Sequence, residues 1–387
     1  MNRFFWGNFD FEEQLRGESQ RSARVERLLL ELAPCWLAVA DADDRIWCPA
    51  KLPAEFLTSL DRWGLPPDLF VSDIKQIPPG MELVPWGWSP AAVEFGERHR
   101  LVVNSPPLDV VQLANSREYS VENEQAADDN AKFATLCRTF EEVFGYMQHI
   151  PDETRWVIKA NWSHAARERV LGRGMGITGP DYGWIIQRLK RDGVVSWERW
   201  LQREAEIGIQ WHITPGQSPQ LIAITELLVD ARGQYIGTRS MAAPRGIGFQ
   251  PVESSKNKDD RLEAYPTQDH AEWAQLAAEA TRPIVSDLAR RGYFGPVGID
   301  AMRYFDPDSN TSRTRPLQDI NARWTMGRLA AGWFARLDAS GPVTWRHGRW
   351  ETQAGDEPVR LSIATSPERI NGSPVVHRTW LQLPERD

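Results

Sequence analysis

The chain has only three cysteines in 387 residues (Cys35, Cys48 and Cys137), too few and too scattered for a disulfide framework or a zinc site. A reducing compartment follows, and the expected location is cytoplasmic. No stretch approaches the roughly 20 apolar residues of a membrane span. The opening segment is interrupted by Asp10, Glu12 and Glu13 before an apolar run of signal-peptide length can form. Basic runs are missing too: a net charge of -8 and a pI near 5.5 argue against a nucleic-acid surface. The seven histidines show no His-x-x-x-His or Cys/His grouping, which argues against a zinc hydrolase, and no Gly-x-Ser-x-Gly marks an α/β-hydrolase. His164 and His212 read as structural histidines first and as lining of an acceptor pocket second.

What is present is globular. At 41% hydrophobic content the chain is long enough for two or three packed domains. Its 18 tryptophans are an excess, clustered at Trp86 and Trp88 and at Trp197 and Trp200. Tryptophan can stack on a sugar or a base, but core filling is its commoner use.

No internal repeat is visible, and the polar run 253–261 lies within a longer loop, 241–267, that has no legible motif. Apolar runs at 35–40, 69–71 and 101–103, alternating with amphipathic segments such as 54–63, predict a small parallel sheet with covering helices. After Arg117, the spacing of Phe133, Leu136, Cys137, Phe140 and Phe144 predicts a helix. A strand at 156–159, a loop carrying Gly172, Gly174, Gly176 and Gly179, and a helix over about 182–191 form a small β-rich lobe. Residues 206–213 alternate strictly, with Ile207, Ile209, Trp211 and Ile213 on one face and Glu206, Gly208, Gln210 and His212 on the other. Strands at 221–229 and 235–238 continue this meander. Residues 271–291 predict a helix kinked or split at Pro283 and ended by Gly292. Strands 297–305 and 315–321 follow, joined by the polar loop 306–314.

Chemistry concentrates in that last hairpin. Side chains two apart on a strand share a face, so Asp319, Asn321 and Arg323 project together if the extended conformation runs on to Arg323, and Asp300 can lie across from them. Two carboxylates and a carboxamide are hard oxygen ligands, suited to Mg²⁺ held by few protein groups plus phosphate oxygens. Arg323 adds a cation for a phosphoryl group or a substrate carboxylate. The alternative is a solvated hairpin in which Arg323 pairs with one aspartate.

Asp300 on one strand, with Asp319-x-Asn321-x-Arg323 on the next, resembles the closing signature of the ATP-grasp superfamily, in which the segment usually begins with Glu. By that resemblance Asp300, Asp319 and Asn321 hold magnesium and Arg323 steadies an acyl phosphate. Further elements follow in the family's chain order. Arg117 stands where a phosphate-binding Lys is usual, Lys159 contacts the phosphates, and Gly172, Gly174 and Gly176 form a flexible lid. Glu198 and the backbone through Trp200 to Leu201 take the adenine, and Glu206 takes the ribose. The resemblance runs from about residue 102 to 327 and looks closest to ATP-grasp peptide and carboxylate-amine ligases of peptide natural-product and tailoring pathways.

It implies an α+β fold in which two α+β lobes clamp ATP, preceded by a small α/β domain. The expected divisions are 1–114 for the pre-ATP-grasp domain, 115–335 for the ATP-grasp domain with its lid lobe at about 155–195, and 336–387 for a C-terminal extension. The implied activity is ADP-forming ligation of a small-molecule or peptide carboxylate to an amine, with ATP and Mg²⁺ (or Mn²⁺) as cofactors and neither nucleic acid nor membrane as partner. A nucleotide-binding pseudoenzyme or scaffold and an ATP-grasp phosphotransferase are the competing readings.

Overall fold

The computed structural model describes residues 2–17, 20–127, 133–162, 168–241, 268–307, 309–337, 341–349 and 361–383. His164, the polar run 253–261 and loop residues 242–267 lie outside them.

The N-terminal unit is a parallel sheet of β1 (Arg3–Trp6), β2 (Arg45–Trp47), β3 (Phe70–Val71) and β4 (Glu82–Pro85), ordered β3-β2-β1-β4. Its first strand uses the aromatic opening residues. The apolar run 35–40 is not a strand: Ala33–Ala38 form a 3₁₀ helix that begins with Pro34 near its N-terminus, where a missing N–H costs nothing. Residues 101–103 contribute only a bridge from Val102 to Glu82. Helices α1 (Phe11–Leu15), α2 (Ala23–Leu32), α3 (Ala54–Thr58) and α4 (Pro90–Arg98) surround the sheet. Ser22 and Ser89 cap α2 and α4 by accepting from Val25 N and Ala92 N.

Helices α5 (Leu108–Ala114) and α6 (Arg117–Ala127) lead into a four-stranded antiparallel lobe of β5 (Ala134–Cys137), β6 (Arg155–Ala160), β7 (Arg169–Arg173) and β8 (Val195–Arg199), ordered β5-β8-β6-β7. Here the expected helix through Phe133, Leu136 and Cys137 is corrected. Residues 134–137 pair with β8 as a strand, and helix α7 (Phe140–Met147) begins only at Phe140, after Thr139 caps it. The three-to-four spacing joined residues from two different elements. Helix α8 (Gly179–Asp192) opens with a Thr178–Asp181 capping box and ends on left-handed Gly193.

The largest sheet has eight strands in the order β13-β12-β9-β10-β11-β14-β18-β15. It comprises β9 (Gln202–Ile213), β10 (Gln220–Val229), β11 (Tyr235–Ser240), β12 (Gly295–Asp306), β13 (Thr311–Asn321), β14 (Thr344–Gly348), β15 (Ser362–Ala364) and, after the ribbon β16 (Arg369–Ile370) and β17 (Ser373–Pro374), β18 (Arg378–Gln382). Three strands from beyond residue 336 therefore complete this sheet. Helix α9 (Gln268–Arg290) runs unbroken through Pro283, and Gly292 follows it at φ +92°. Helix α10 (Met326–Arg336) packs on the sheet after β13.

Ile207, Ile209, Trp211 and Ile213 are all buried, as the alternation of β9 requires, and Trp211 donates its indole N–H to Thr281 of α9 at 3.0 Å. Several tryptophans fill cores: Trp36, Trp156, Trp211, Trp333 and Trp345 are fully buried. Truncating one such side chain costs about 3–5 kcal/mol. Trp36 also joins the units, meeting Trp86 and Trp324 edge-on at 6.1 and 5.3 Å. Trp324 N donates to Trp86 O at 3.0 Å, which fixes the end of the acidic hairpin against the N-terminal unit. Among the described residues, no helix is long and apolar enough to cross a membrane.

Candidate active site

A cleft of about 420 Å³ opens between the antiparallel lobe and the large sheet. Lys159 on β6 and Glu198 on β8 face it from one side, Trp200 and Leu201 from the strand end, and Glu206, Met302 and Arg315 from the large sheet. Lys159, Glu198, Trp200, Leu201 and Glu206, all expected at the nucleotide, thus line one cavity.

Its inner wall is a buried charge network. Lys159 Nζ and Arg315 Nη1 both donate to Glu198 Oε2, each at 2.9 Å, and Ser196 Oγ donates to Oε1 at 3.0 Å. Arg315 in turn holds Glu124 of α6 through two bonds, Nε to Oε1 at 2.6 Å and Nη2 to Oε2 at 2.8 Å. Burial alone would raise the Glu198 carboxyl, but Lys159, Arg315 and Arg117 outweigh it and hold Glu198 far below the usual carboxylate range. Burial pushes the Lys159 ammonium down while Glu198 pulls it back. The Arg315 guanidinium, opposed by burial, is held above its ordinary value by Glu124 and Glu198. Sequence reasoning missed Arg315 and Glu124. Arg315 lies on β13 four residues before Asp319, but nothing in the sequence reveals that α6 would present Glu124 to it.

At the strand end, Trp200 N donates to Arg155 O at 2.8 Å, and its ring lies 5.2 Å from the Arg155 guanidinium and 5.7 Å from that of Arg169. Glu206 accepts from Arg203 Nη1 at 3.2 Å.

The acidic hairpin forms in the expected register, with Asp300 directly opposite Asp319 and Gly298 opposite Asn321. Arg117 Nη2 reaches Asp319 Oδ2 at 3.0 Å, and Asn321 Nδ2 reaches Asp300 Oδ2 at 3.3 Å. Burial, then the charges of Asp319 and Glu206, push the Asp300 carboxyl up to about 7, with Arg323 and Arg117 opposing. Carboxylates that repel each other across a strand pair, with a carboxamide beside them, suit a small divalent cation. Among the described residues, no three His, Cys, Asp or Glu side chains gather to enclose a metal. The donor set is therefore open, two aspartates and Asn321, and fits Mg²⁺ that completes its shell with phosphate oxygens and water.

Arg323 is held firmly. It donates to Glu12 Oε1 from Nε at 2.8 Å, to Asn321 Oδ1 at 2.9 Å and to Trp324 O at 2.9 Å, and lies 5.6 Å from the Trp86 ring centre. No sequence pattern points to Glu12, whose partner lies at the far end of the chain.

The glycine-rich segment is elsewhere. Gly172 lies within β7, where a Cβ would collide with the Trp156 ring, and Gly174 takes φ +53° in the turn that follows, its carbonyl accepting from Trp156 Nε1 at 2.8 Å. Gly176 closes that turn by donating to Arg173 O. In the β6–β7 hairpin Lys159 pairs with Arg169 at one end, whereas Arg155 pairs with Arg173, beside these glycines, at the other. Gly172 and Gly174 thus meet the demands of close packing and turn geometry at the end of the hairpin away from Lys159.

A larger cleft of about 590 Å³ lies beside α8 and includes Arg16, Glu168, Arg188 and Arg191. There Arg188 pairs with Glu168, and Arg191 with Asp192.

A small parallel-sheet unit, a four-stranded antiparallel lobe and a large antiparallel sheet with a charged cleft between the last two define the ATP-grasp fold. No protein-family model matches the chain, nor does any curated protein sequence. Among solved structures, N5-carboxyaminoimidazole synthetase from Staphylococcus aureus, complexed with ADP, aligns over 92% of this chain and 91% of its own with a TM-score of 0.51 and 10% identity. N5-carboxyaminoimidazole synthase from Aspergillus clavatus, complexed with ADP and 5-aminoimidazole ribonucleotide, aligns over 99% and 94% with a TM-score of 0.46 and 10% identity. The biotin carboxylase domain of Hydrogenobacter thermophilus 2-oxoglutarate carboxylase, complexed with MgADP, aligns over 76% and 67% with a TM-score of 0.45 and 11% identity.

Proposed function

We propose that the chain is an ADP-forming ligase that joins a carboxylate to an amine through an acyl phosphate. The observation that carries this reading is the convergence of Lys159, Glu198, Arg315, Asp300, Asp319 and Arg323, drawn from β6, β8, β12 and β13 and the segment after β13, on and beside one cleft. Glu198, fixed and ionised, takes the adenine amino group with the backbone near Leu201, and Glu206 takes the ribose. Lys159 and Arg117 lie along the phosphates. Asp300, Asp319 and Asn321 hold Mg²⁺, which supplies neutralisation of charge on the phosphate oxygens.

The chain's residues then position two displacements. A substrate carboxylate oxygen bonds to the γ-phosphorus as the bond from that phosphorus to the bridging oxygen breaks, and ADP leaves. The amine nitrogen bonds to the acyl carbon, the carbon–oxygen bond to phosphate breaks, and the nitrogen gives up its proton as the amide forms. Arg323, immobilised by Glu12, Asn321 and Trp324, steadies the developing oxyanion. ADP release measured across mixtures of acids and amines with Mg²⁺, followed by mass analysis of the responding mixture, tests this: an amide product supports it, and a stable phosphorylated product overturns it.

One observation favours a second reading, a nucleotide-binding protein without turnover. Arg117 already engages Asp319, itself one methylene shorter than the usual Glu. Tight Mg-ATP binding with no ADP release from any mixture would establish that reading.

A further inference from the structure

The polar face of β9 works as a ruler. Gly208 stands opposite Asp300, Gln210 opposite Gly298, and His212 opposite Pro296. His212 is four residues beyond the aspartate pair, about 13 Å along the strand. Its Nδ1 is buried with no hydrogen-bond partner.

Beside His212 stands Arg328, in the first turn of α10. Its backbone N donates to Thr325 Oγ1 at 3.0 Å, and Thr325 donates to Gln210 Oε1 at 2.7 Å, which pins this end of α10 to β9. The guanidinium lies 5.9 Å from the Trp324 ring centre, and its Nη1 is buried without a hydrogen-bond partner. Burial pushes Arg328 down to about 10, and no carboxylate among the described residues offsets it; its charge in turn helps burial depress His212. Arg117, Arg315 and Arg323, by contrast, each have a counter-ion: Arg117 has Asp319, Arg315 has Glu124 and Glu198, and Arg323 has Glu12. A largely buried guanidinium without an anion is costly, and its planar fork of donors matches a carboxylate.

We propose that Arg328, with His212, is the subsite for a carboxylate carried by the amine substrate, so that the acceptor is an amino acid or another amine bearing a carboxylate. The proposal rests on the ligase reading for the reacting centre. The carboxylate bonds the Arg328 fork, His212 donates beside it, and the amine is directed back along β9 toward Arg323 and the aspartate pair.

Calorimetric titration of the protein with single amino acids and with their carboxamide counterparts, with and without saturating Mg-AMP-PNP, tests it. At least one amino acid is expected to bind about 10-fold more tightly than its carboxamide. Arg328→Gln, which removes an unpaired charge and leaves the fold intact, abolishes that preference, and Arg328→Lys restores part of it. AMP-PNP affinity stays within about twofold in both variants, since Arg328 lies away from the nucleotide cleft. The proposal is overturned if no amino acid is preferred to its carboxamide, or if the preference survives Arg328→Gln. Failure of AMP-PNP to bind would sink the nucleotide reading alone, because the titrations without nucleotide still compare the Arg328 variants.

Discussion

Glu12 and Arg323, 311 residues apart in sequence, form a buried ion pair at 2.7 Å. One helical turn of the N-terminal unit thereby sets the orientation of the cation at the end of the acidic hairpin. Glu12→Gln keeps the shape of the side chain but removes the charge, leaving Arg323 partly uncompensated. The expected result is a fall of about 10-fold or more in kcat/KM for the carboxylate substrate with Mg-ATP affinity unchanged. Steady-state ADP release with each substrate varied in turn is the check, and equal losses for both substrates would contradict it.

Glu124 is expected to act on the nucleotide from behind. Glu124→Gln removes the carboxylate that grips Arg315 twice, in a region where breaking a buried pair costs about 3–5 kcal/mol. Urea unfolding should show a loss of that size. Calorimetry on the folded variant should show weaker Mg-ATP binding, because Arg315 and Glu198 share the freed geometry.

The aspartate pair gives a pH signature. Folded Asp300 titrates at about 7, against an ordinary value of 3.8. Between about pH 4 and 7 the folded chain therefore holds a proton that the unfolded chain releases, and stability falls as pH rises through that window. Asp300→Asn removes the effect. Without metal, the variant should melt higher than wild type at pH 8, and the gap should close toward pH 5. Added Mg-ATP should then stabilise wild type but not the variant. Scanning calorimetry at the two pH values decides it, and a variant that melts lower at pH 8 contradicts the assignment.

The glycine-rich turn is predicted to matter for folding alone. Gly172→Ala forces a Cβ into the Trp156 ring and should cost about 1–3 kcal/mol, with Mg-ATP affinity within about twofold of wild type. Lost affinity in a folded variant would return these glycines to the phosphates.

The site is legible in the sequence where strand geometry governs it. Side chains two apart share a face, which places Glu206, Gln210 and His212 together on β9, Asp319 and Asn321 together on β13, and Asp300 across the hairpin. Two kinds of feature are not legible in this way. Glycine is ambiguous: a run that reads as a phosphate loop also suits a strand packed against an indole and a left-handed turn, and Gly172 and Gly174 are those. Apolar spacing is ambiguous over short lengths, so Phe133, Leu136 and Cys137 mimic a helix although Thr139 starts one only at Phe140. Glu12, Glu124 and Arg328 depend on contacts between distant elements, which no local pattern encodes.

The proposed ligase activates a carboxylate as an acyl phosphate in this cleft. Hydroxylamine, supplied with Mg-ATP and a mixture of carboxylic acids, intercepts such a species as a hydroxamate. Hydroxamate should form in step with ADP in wild type and be lost in Lys159→Ala; ADP released without hydroxamate would contradict the acyl-phosphate route.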